Sequence, residues 1–394
     1  MAALSGAVLP EGMIDHGVAV PISNSANFYV SSNAAGDTLL LRTLSDSRGC
    51  RDILEINVNK GTGRTVRLPS RPGIHSLFTS LYSSSGKLYL AHGGKFYEYD
   101  PKAGKVTFDG RCSGSSAIVM HEDRHGRIWA GSYPSSELCM FDPKTRKLTD
   151  FGKIHSEDWR QYPRFIADDD AGWIYVGIGN TFTQIVAFHP ETGTSKAIIP
   201  EESRRPAAAS QVEAADNGKV YGWNRTVGKD PDLYHELHRG QVLKLSAKPD
   251  YTPRKLHYAC GSNPTSLPDG RKIESFDLVT RELKITDPDG RNSRTINFSY
   301  PSDGLYIMGF VPMADGTLRG GTMHPMHYFV FDPAKNEFVT HGPAHYQWNV
   351  LLSFGNHLFI GGYSHGALLD WDIDNPRFDP ITEQTLPGKN PRNI

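Results

Sequence analysis

DRHGRIWAGSY (Asp123–Tyr133), followed closely by FDPKTRK (Phe141–Lys147), is the stretch on which the fold turns. A glycine at a tight turn opens it, because only glycine enters the left-handed backbone region without steric cost. An apolar run with strand alternation follows, then an aromatic residue and Asp-Pro, a turn pair. The same order recurs in SSSGKLYLAHG (Ser83–Gly93), DDAGWIYVGIG (Asp169–Gly179), ADNGKVYGWNR (Ala215–Arg225), ADGTLRGGTM (Ala314–Met323) and FGNHLFIGGY (Phe354–Tyr363). The downstream turn recurs at Tyr99-Asp100-Pro101, Phe188-His189-Pro190 and Phe331-Asp332-Pro333, with weaker copies at Thr286-Asp287-Pro288 and Trp371-Asp372. A unit of roughly 40–55 residues holding several short strands is the mark of a repeat architecture. These units predict an all-β chain, a β-propeller of four-stranded antiparallel blades. The expectation is seven blades, with eight as the alternative, because the units around Asn57 and Asp287 are weakly marked. All 394 residues are expected to form one domain, since each repeat extends one core.

Composition narrows the function classes. There are 42 Lys and Arg against 43 Asp and Glu, without blocks of like charge. A nucleic-acid binder would need a basic stripe to neutralise phosphates, and a membrane-spanning helix would need an apolar run of ~20 residues. Neither is present in the sequence. MAALSGAVLP at the start lacks the basic and long apolar regions of a signal peptide. Cys50, Cys112, Cys139 and Cys260 have no metal-type spacing, and disulfides and free thiols are equally compatible with them.

In a four-stranded blade the loops between the second and third strands share one face with the connections between blades. Assigned this way, that face collects His92, Tyr133, Asn180, Arg225, His324 and His365 from the first kind of loop. Arg160, Tyr162 and Arg164 come from the second, and His16 precedes the first strand. Loops on a rigid scaffold often carry a binding site, although any single His or Tyr here also suits an ordinary hydrogen-bonded loop position. Asp168, Asp169 and Asp170 precede a glycine turn on the opposite face, and Arg164 could pair with them. The loop set therefore lacks the two carboxylates of a glycosidase. Tyr, His and Arg suit β-elimination from a uronic acid instead: Arg neutralises the carboxylate, which acidifies the C5 proton, and Tyr or His transfers protons.

WRQYPRFIADDDAGWIYVGIGN (Trp159–Asn180), with Asp15-His16-Gly17 and Pro21-Ile-Ser-Asn24, resembles a family of propeller enzymes acting on the L-rhamnose-α-1,4-D-glucuronate caps of arabinogalactan and gum arabic. Members of that family are described as rhamnose–glucuronate lyases and as α-L-rhamnosidases; the ulvan lyase propellers are similar at greater distance. The resemblance implies seven blades and an oligo- or polysaccharide substrate containing glucuronate; separately, the chain is expected to be secreted and monomeric. The leader needed for secretion is not in this sequence. It also implies functional roles for His16 and for Arg164, and a histidine near His92. The expected reaction releases L-rhamnose and leaves a 4,5-unsaturated glucuronate. His16, His92 and Tyr133 are the expected proton-transfer residues, with His92 and Tyr133 on neighbouring loops. Arg160, Tyr162, Arg164, Asn180, Arg225, His324 and His365 are the expected substrate-binding residues. This chemistry requires no cofactor, though a histidine cluster could hold a structural divalent cation. The alternatives are a hydrolase cutting the same bond, a non-catalytic glycan-binding propeller and a lactonase-type metal enzyme.

Overall fold

The structure is a computed structural model and describes residues 10–69, 77–226, 228–260, 263–363, 366–374 and 392–393. His365 lies outside these residues. The described chain is all-β, with one short 3-10 turn at Glu201–Ser203 and no α-helix. Its strands form eight successive antiparallel meanders, spanning residues 24–67, 80–111, 116–153, 162–197, 209–245, 272–297, 306–343 and 347–372. Each is four-stranded in chain order except the sixth, which has three strands; the eighth is completed by Arg392–Asn393. Seven units, the favoured expectation, is thus not the number of meanders among the described residues.

Two compact units divide the chain. One comprises Ser25–Leu44 and Arg48–Tyr300; the other comprises Met1–Asn24, Ser45–Ser47 and Pro301–Ile394. In the larger unit the sheets pack face to face in order. Tyr29, Leu41 and Ile53 of the first sheet meet Leu88, Leu90 and Tyr97 of the second. Tyr89 and Phe96 of the second meet Ile128 and Phe141 of the third. Trp129 of the third meets Ile174 and Val186 of the fourth, and Tyr175 and Ile185 of the fourth meet Val212 and Leu237 of the fifth. Leu283, Ile296 and Phe298 at the sixth sheet pack on Leu54 and Ile56 of the first. Burial on both faces explains the nearly continuous apolar runs that the strands show. In the smaller unit the seventh sheet packs on the eighth through Met313, Trp348 and Leu358.

The turns follow the chemistry of the quoted stretch. Gly126 has φ +79°, and Asp123 accepts from the His125 and Arg127 backbone N–H groups while receiving the Trp129 indole N–H at 2.8 Å. That carboxylate thereby supplies a buried partner for Trp129, which is 0% exposed. The Asp-Pro residues are turn residues as expected: Asp100, Asp142 and Asp332 each accept the backbone N–H two residues on. Glycine also serves close approach in the fourth sheet. A Cβ on Gly177 would lie 2.1 Å from the Ser210 carbonyl oxygen, and one on Gly179 would lie 2.5 Å from the Ala209 Cβ.

The sixth sheet lacks an inner strand because the chain goes elsewhere after Leu245. Residues 252–260 run across the first strands of the fifth, fourth, third and second sheets in turn. Arg254 N–H donates to the Ala214 carbonyl, Arg254 reaches Asp168, Tyr258 reaches His121, and Ala259 and Cys260 pair with Tyr82 and Leu81. Asp168, 2% exposed, is the centre of this crossing. It accepts from His121 Nε2 at 2.7 Å, Arg124 Nε at 2.8 Å, and Arg254 Nη1 and Nη2 at 2.8 and 2.6 Å. His121 Nδ1 in turn lies 2.8 Å from the Tyr258 hydroxyl. All four cysteines are free thiols.

Candidate functional site

Five of the expected residues meet at the end of the third and fourth sheets opposite the Asp123 and Asp169 turns. Tyr133 ends strand Ile128–Tyr133, Tyr162 opens strand Tyr162–Asp168, and Asn180 follows strand Ile174–Gly179. A backbone bridge between Ser135 and Gln161, with Gln161 N–H donating to the Pro134 carbonyl at 2.8 Å, holds the two sheet ends together. The glycines at 177 and 179 let the fifth sheet approach closely, which fixes where Asn180 emerges.

The Tyr133 and Tyr162 rings lie 4.6 Å apart. Arg160 Nη1 donates to the Tyr133 hydroxyl oxygen at 3.0 Å. The Arg164 guanidinium stands 4.7 Å from the Tyr162 ring centroid, and its Nε donates to Asn180 Oδ1 at 3.2 Å. Each guanidinium has five donors, so both keep several in reserve. Among the described residues neither arginine has a carboxylate partner. The Asp168–Asp170 turn does not pair with Arg164: Asp168 is held as described, and Asp170 takes His238 at 2.7 Å. Partial burial lowers the pKa of Arg164, a cost to its charge that an arriving anion would relieve. The site therefore pairs two cations without counterions and two phenols, an arrangement suited to holding a carboxylate beside a proton-transfer group.

The remaining expected residues have other settings. His92 sits one rung away in the ladder: it pairs with Ser116, which pairs with Tyr133. Its ring, however, is turned inward and is 1% exposed. Nδ1 meets the Ser116 hydroxyl at 3.1 Å, and Nε2 accepts from the Cys50 backbone N–H at 3.4 Å. A buried imidazole with both nitrogens engaged does not fit the expected role of proton acceptor from substrate. His16 belongs to the other unit, where it packs on Phe331 with ring centroids 4.8 Å apart and meets Asn336 Oδ1 at 2.5 Å. It thus sits at the turn after strand His327–Asp332, the end of that sheet opposite the loop carrying His324. The expected place of His16 among the loops of the substrate face is corrected accordingly. His324 is half-buried in that loop, and burial lowers its pKa. Arg225 is exposed at the end of strand Val220–Arg225.

The Asp168 network was read in the sequence as turn residues, and its partners His121, Arg124, Arg254 and Tyr258 were not singled out. Their only signal is the adjacency of a buried-strand carboxylate to an arginine 86 residues away in sequence, which no local pattern reveals. Among the described residues, no group of three or more His, Cys, Asp or Glu stands together as a set of metal ligands.

No family model matches this chain, and no curated protein matches it. Solved structures that resemble it include the extracellular domain of the system BT4673 from B. thetaiotaomicron, at 11% identity and a TM-score of 0.33, over 92% of this chain and 58% of that one. The chain thus spans somewhat more than half the length of that protein. The C-terminal WD40 domain of Sif2 matches at 11% identity and a TM-score of 0.38, over 89% and 97% of the two chains. The β-propeller domain of Myceliophteria thermophila Swd1 matches at 14% identity and a TM-score of 0.33, over 89% and 99%. At these scores the likenesses carry no argument about activity.

Proposed function

We propose that this chain is a β-propeller polysaccharide lyase, its meanders serving as blades, which cleaves the L-rhamnose-α-1,4-D-glucuronate linkage by β-elimination. The observation that carries the reading is the pair of arginines without counterions around the contacting rings of Tyr133 and Tyr162. Arg164, with Asn180 beside it, binds the glucuronate carboxylate and withdraws charge from C5. Tyr133 faces the ring and removes the C5 proton. The electron pair forms the C4–C5 double bond, the C4–O4 bond breaks, and the departing oxygen takes a proton to leave as free L-rhamnose. The C5 hydrogen and O4 lie on the same face of glucuronate, so Tyr133 can serve as base and then as acid. Arg160 stabilises the negative charge that develops on the Tyr133 oxygen. His16 and His92 have no place in this sequence of events. The five residues include no Asp or Glu, which disfavours the hydrolase alternative with its two carboxylates.

Arg164→Lys tests the carboxylate clamp, since lysine keeps the charge and loses the planar fork. Activity on the glucuronate substrate is expected to fall by roughly 10²-fold, the scale of losing one charge-stabilising donor. Activity on the methyl ester, which lacks the anion, should already be low in wild type and change little. An Arg164→Lys enzyme with wild-type kcat/KM would remove Arg164 from the site.

A further inference from the structure

The face of the fifth sheet turned away from the fourth differs from the apolar faces through which the second, third and fourth sheets pack. Gly222 and Leu237 point to the fourth sheet, where a Cβ on Gly222 would come within 2.6 Å of Ile185. Alternation then puts Gln211, Trp223 and Tyr234 on one rung of the opposite face and Glu213, Tyr221 and Glu236 on the other. Where the second, third and fourth sheets present apolar side chains on both faces, this face presents aromatic and acidic groups. Residues 248–251 lie over it: Tyr251 stacks on Tyr221 with centroids 4.2 Å apart, and its hydroxyl donates to Glu213 at 2.6 Å. Glu236 is neutralised by Lys219 at 2.6 Å. A cavity of about 420 Å³ remains, lined by Trp223, Tyr234, Tyr251, Asp230, Lys248 and two prolines. That volume falls in the range of roughly 300–1,000 Å³ typical of ligand sites.

We infer that this cavity binds a neutral pyranose unit of a glycan, at a site separate from the Tyr133 cluster. The Trp223 and Tyr234 rings offer flat apolar surfaces to the C–H face of a sugar ring, and Tyr251 is fixed by its bond to Glu213. Asp230 supplies an acceptor and Lys248 a donor for hydroxyls, and among the described residues neither forms an ion pair. With one acidic and one basic side chain, the lining of the cavity carries no net charge. A quaternary ammonium, the usual guest of an aromatic cage, would meet Lys248. The inference deepens the glycan reading given above but does not depend on elimination chemistry.

The test is a saturation-transfer NMR titration of the whole chain with methyl β-D-galactopyranoside, with choline as the cationic probe. The glycoside should receive saturation at its ring C–H protons and choline should not. Trp223→Ala and Asp230→Ala should each weaken glycoside binding by about tenfold or more, the scale of losing an anchor side chain. Tyr133→Phe should leave it unchanged. Asp230 is at an exposed rim, so its variant reports even where Trp223→Ala does not fold. Transfer to choline in place of the glycoside, or glycoside binding indifferent to Asp230→Ala and to a folded Trp223→Ala, would overturn the inference. A protein that binds the glycoside yet cleaves nothing would refute the lyase reading alone.

Discussion

Tyr133→Phe is expected to lower kcat on a rhamnose-capped glucuronate oligosaccharide by about 10²–10⁴-fold, the range for losing a general acid or base. KM should change far less, because the ring that packs against Tyr162 remains and only the hydroxyl that meets Arg160 is lost. The same change at Tyr162 removes a hydroxyl with no assigned proton to move, so Tyr162→Phe should cost much less. His92→Ala is the informative contrast in the other direction. Its imidazole is internal and engaged with Ser116 and Cys50, so its loss should appear as reduced stability, with kcat near wild type in the folded fraction. Steady-state kinetics on the three variants, with folding checked by circular dichroism, separates these cases. A Tyr133→Phe enzyme keeping more than about a tenth of wild-type kcat would exclude Tyr133 as the proton-transfer group.

The largest stability effect is expected at Asp168. Its removal would leave Arg254 and Arg124 partly buried without their shared counterion and break the contact with His121. Breaking a buried pair from one side typically costs about 3–5 kcal/mol, and Asp168→Ala should show a loss of that order as a lower urea midpoint at pH 7. Acid should reproduce part of it. Burial by itself would raise the carboxyl pKa, but hydrogen bonds from His121 and Arg254 outweigh burial and hold it well below the usual carboxylate range. A carboxyl with a depressed folded pKa contributes stability above its unfolded pKa of about 3.9 and loses it as pH falls toward the folded value. Wild type should therefore lose more stability than Asp168→Ala between about pH 5 and about pH 2. Equal losses, or a cost below about 1 kcal/mol at pH 7, would show that Asp168 is not the anchor of the crossing segment.

The turns were legible in the sequence because they are local. Gly126 and Gly172 adopt the positive φ that their hairpins need, and Asp100, Asp142 and Asp332 make the bonds that Asp-Pro turns make. Much of the Tyr133 cluster was legible for a related reason: once strands are assigned, alternation and meander order place Tyr133, Tyr162 and Asn180 at one sheet end. What the sequence does not reveal is set by contacts distant along the chain. KPDYTPRKLHYAC (Lys248–Cys260) has no strand or helix period, and its path is decided by Asp168, His121 and Tyr82. The missing inner strand of the sixth sheet was visible as a weak repeat, but not where its chain had gone. Side-chain direction at a loop edge is equally non-local. His92 occupies the expected position in the ladder and still turns inward, because Ser116 and the Cys50 N–H offer it partners there.

The most direct measurement of the proposed activity is product analysis after incubating the protein with a gum arabic oligosaccharide ending in L-rhamnose-α-1,4-D-glucuronate. The elimination reading predicts equimolar free L-rhamnose and an unsaturated uronate. The uronate would be seen as rising ultraviolet absorbance and as a chain end one water lighter in mass than intact glucuronate. Free rhamnose with an intact glucuronate end and no absorbance would show hydrolysis, and no release at all would show a binding protein; either result contradicts the proposal.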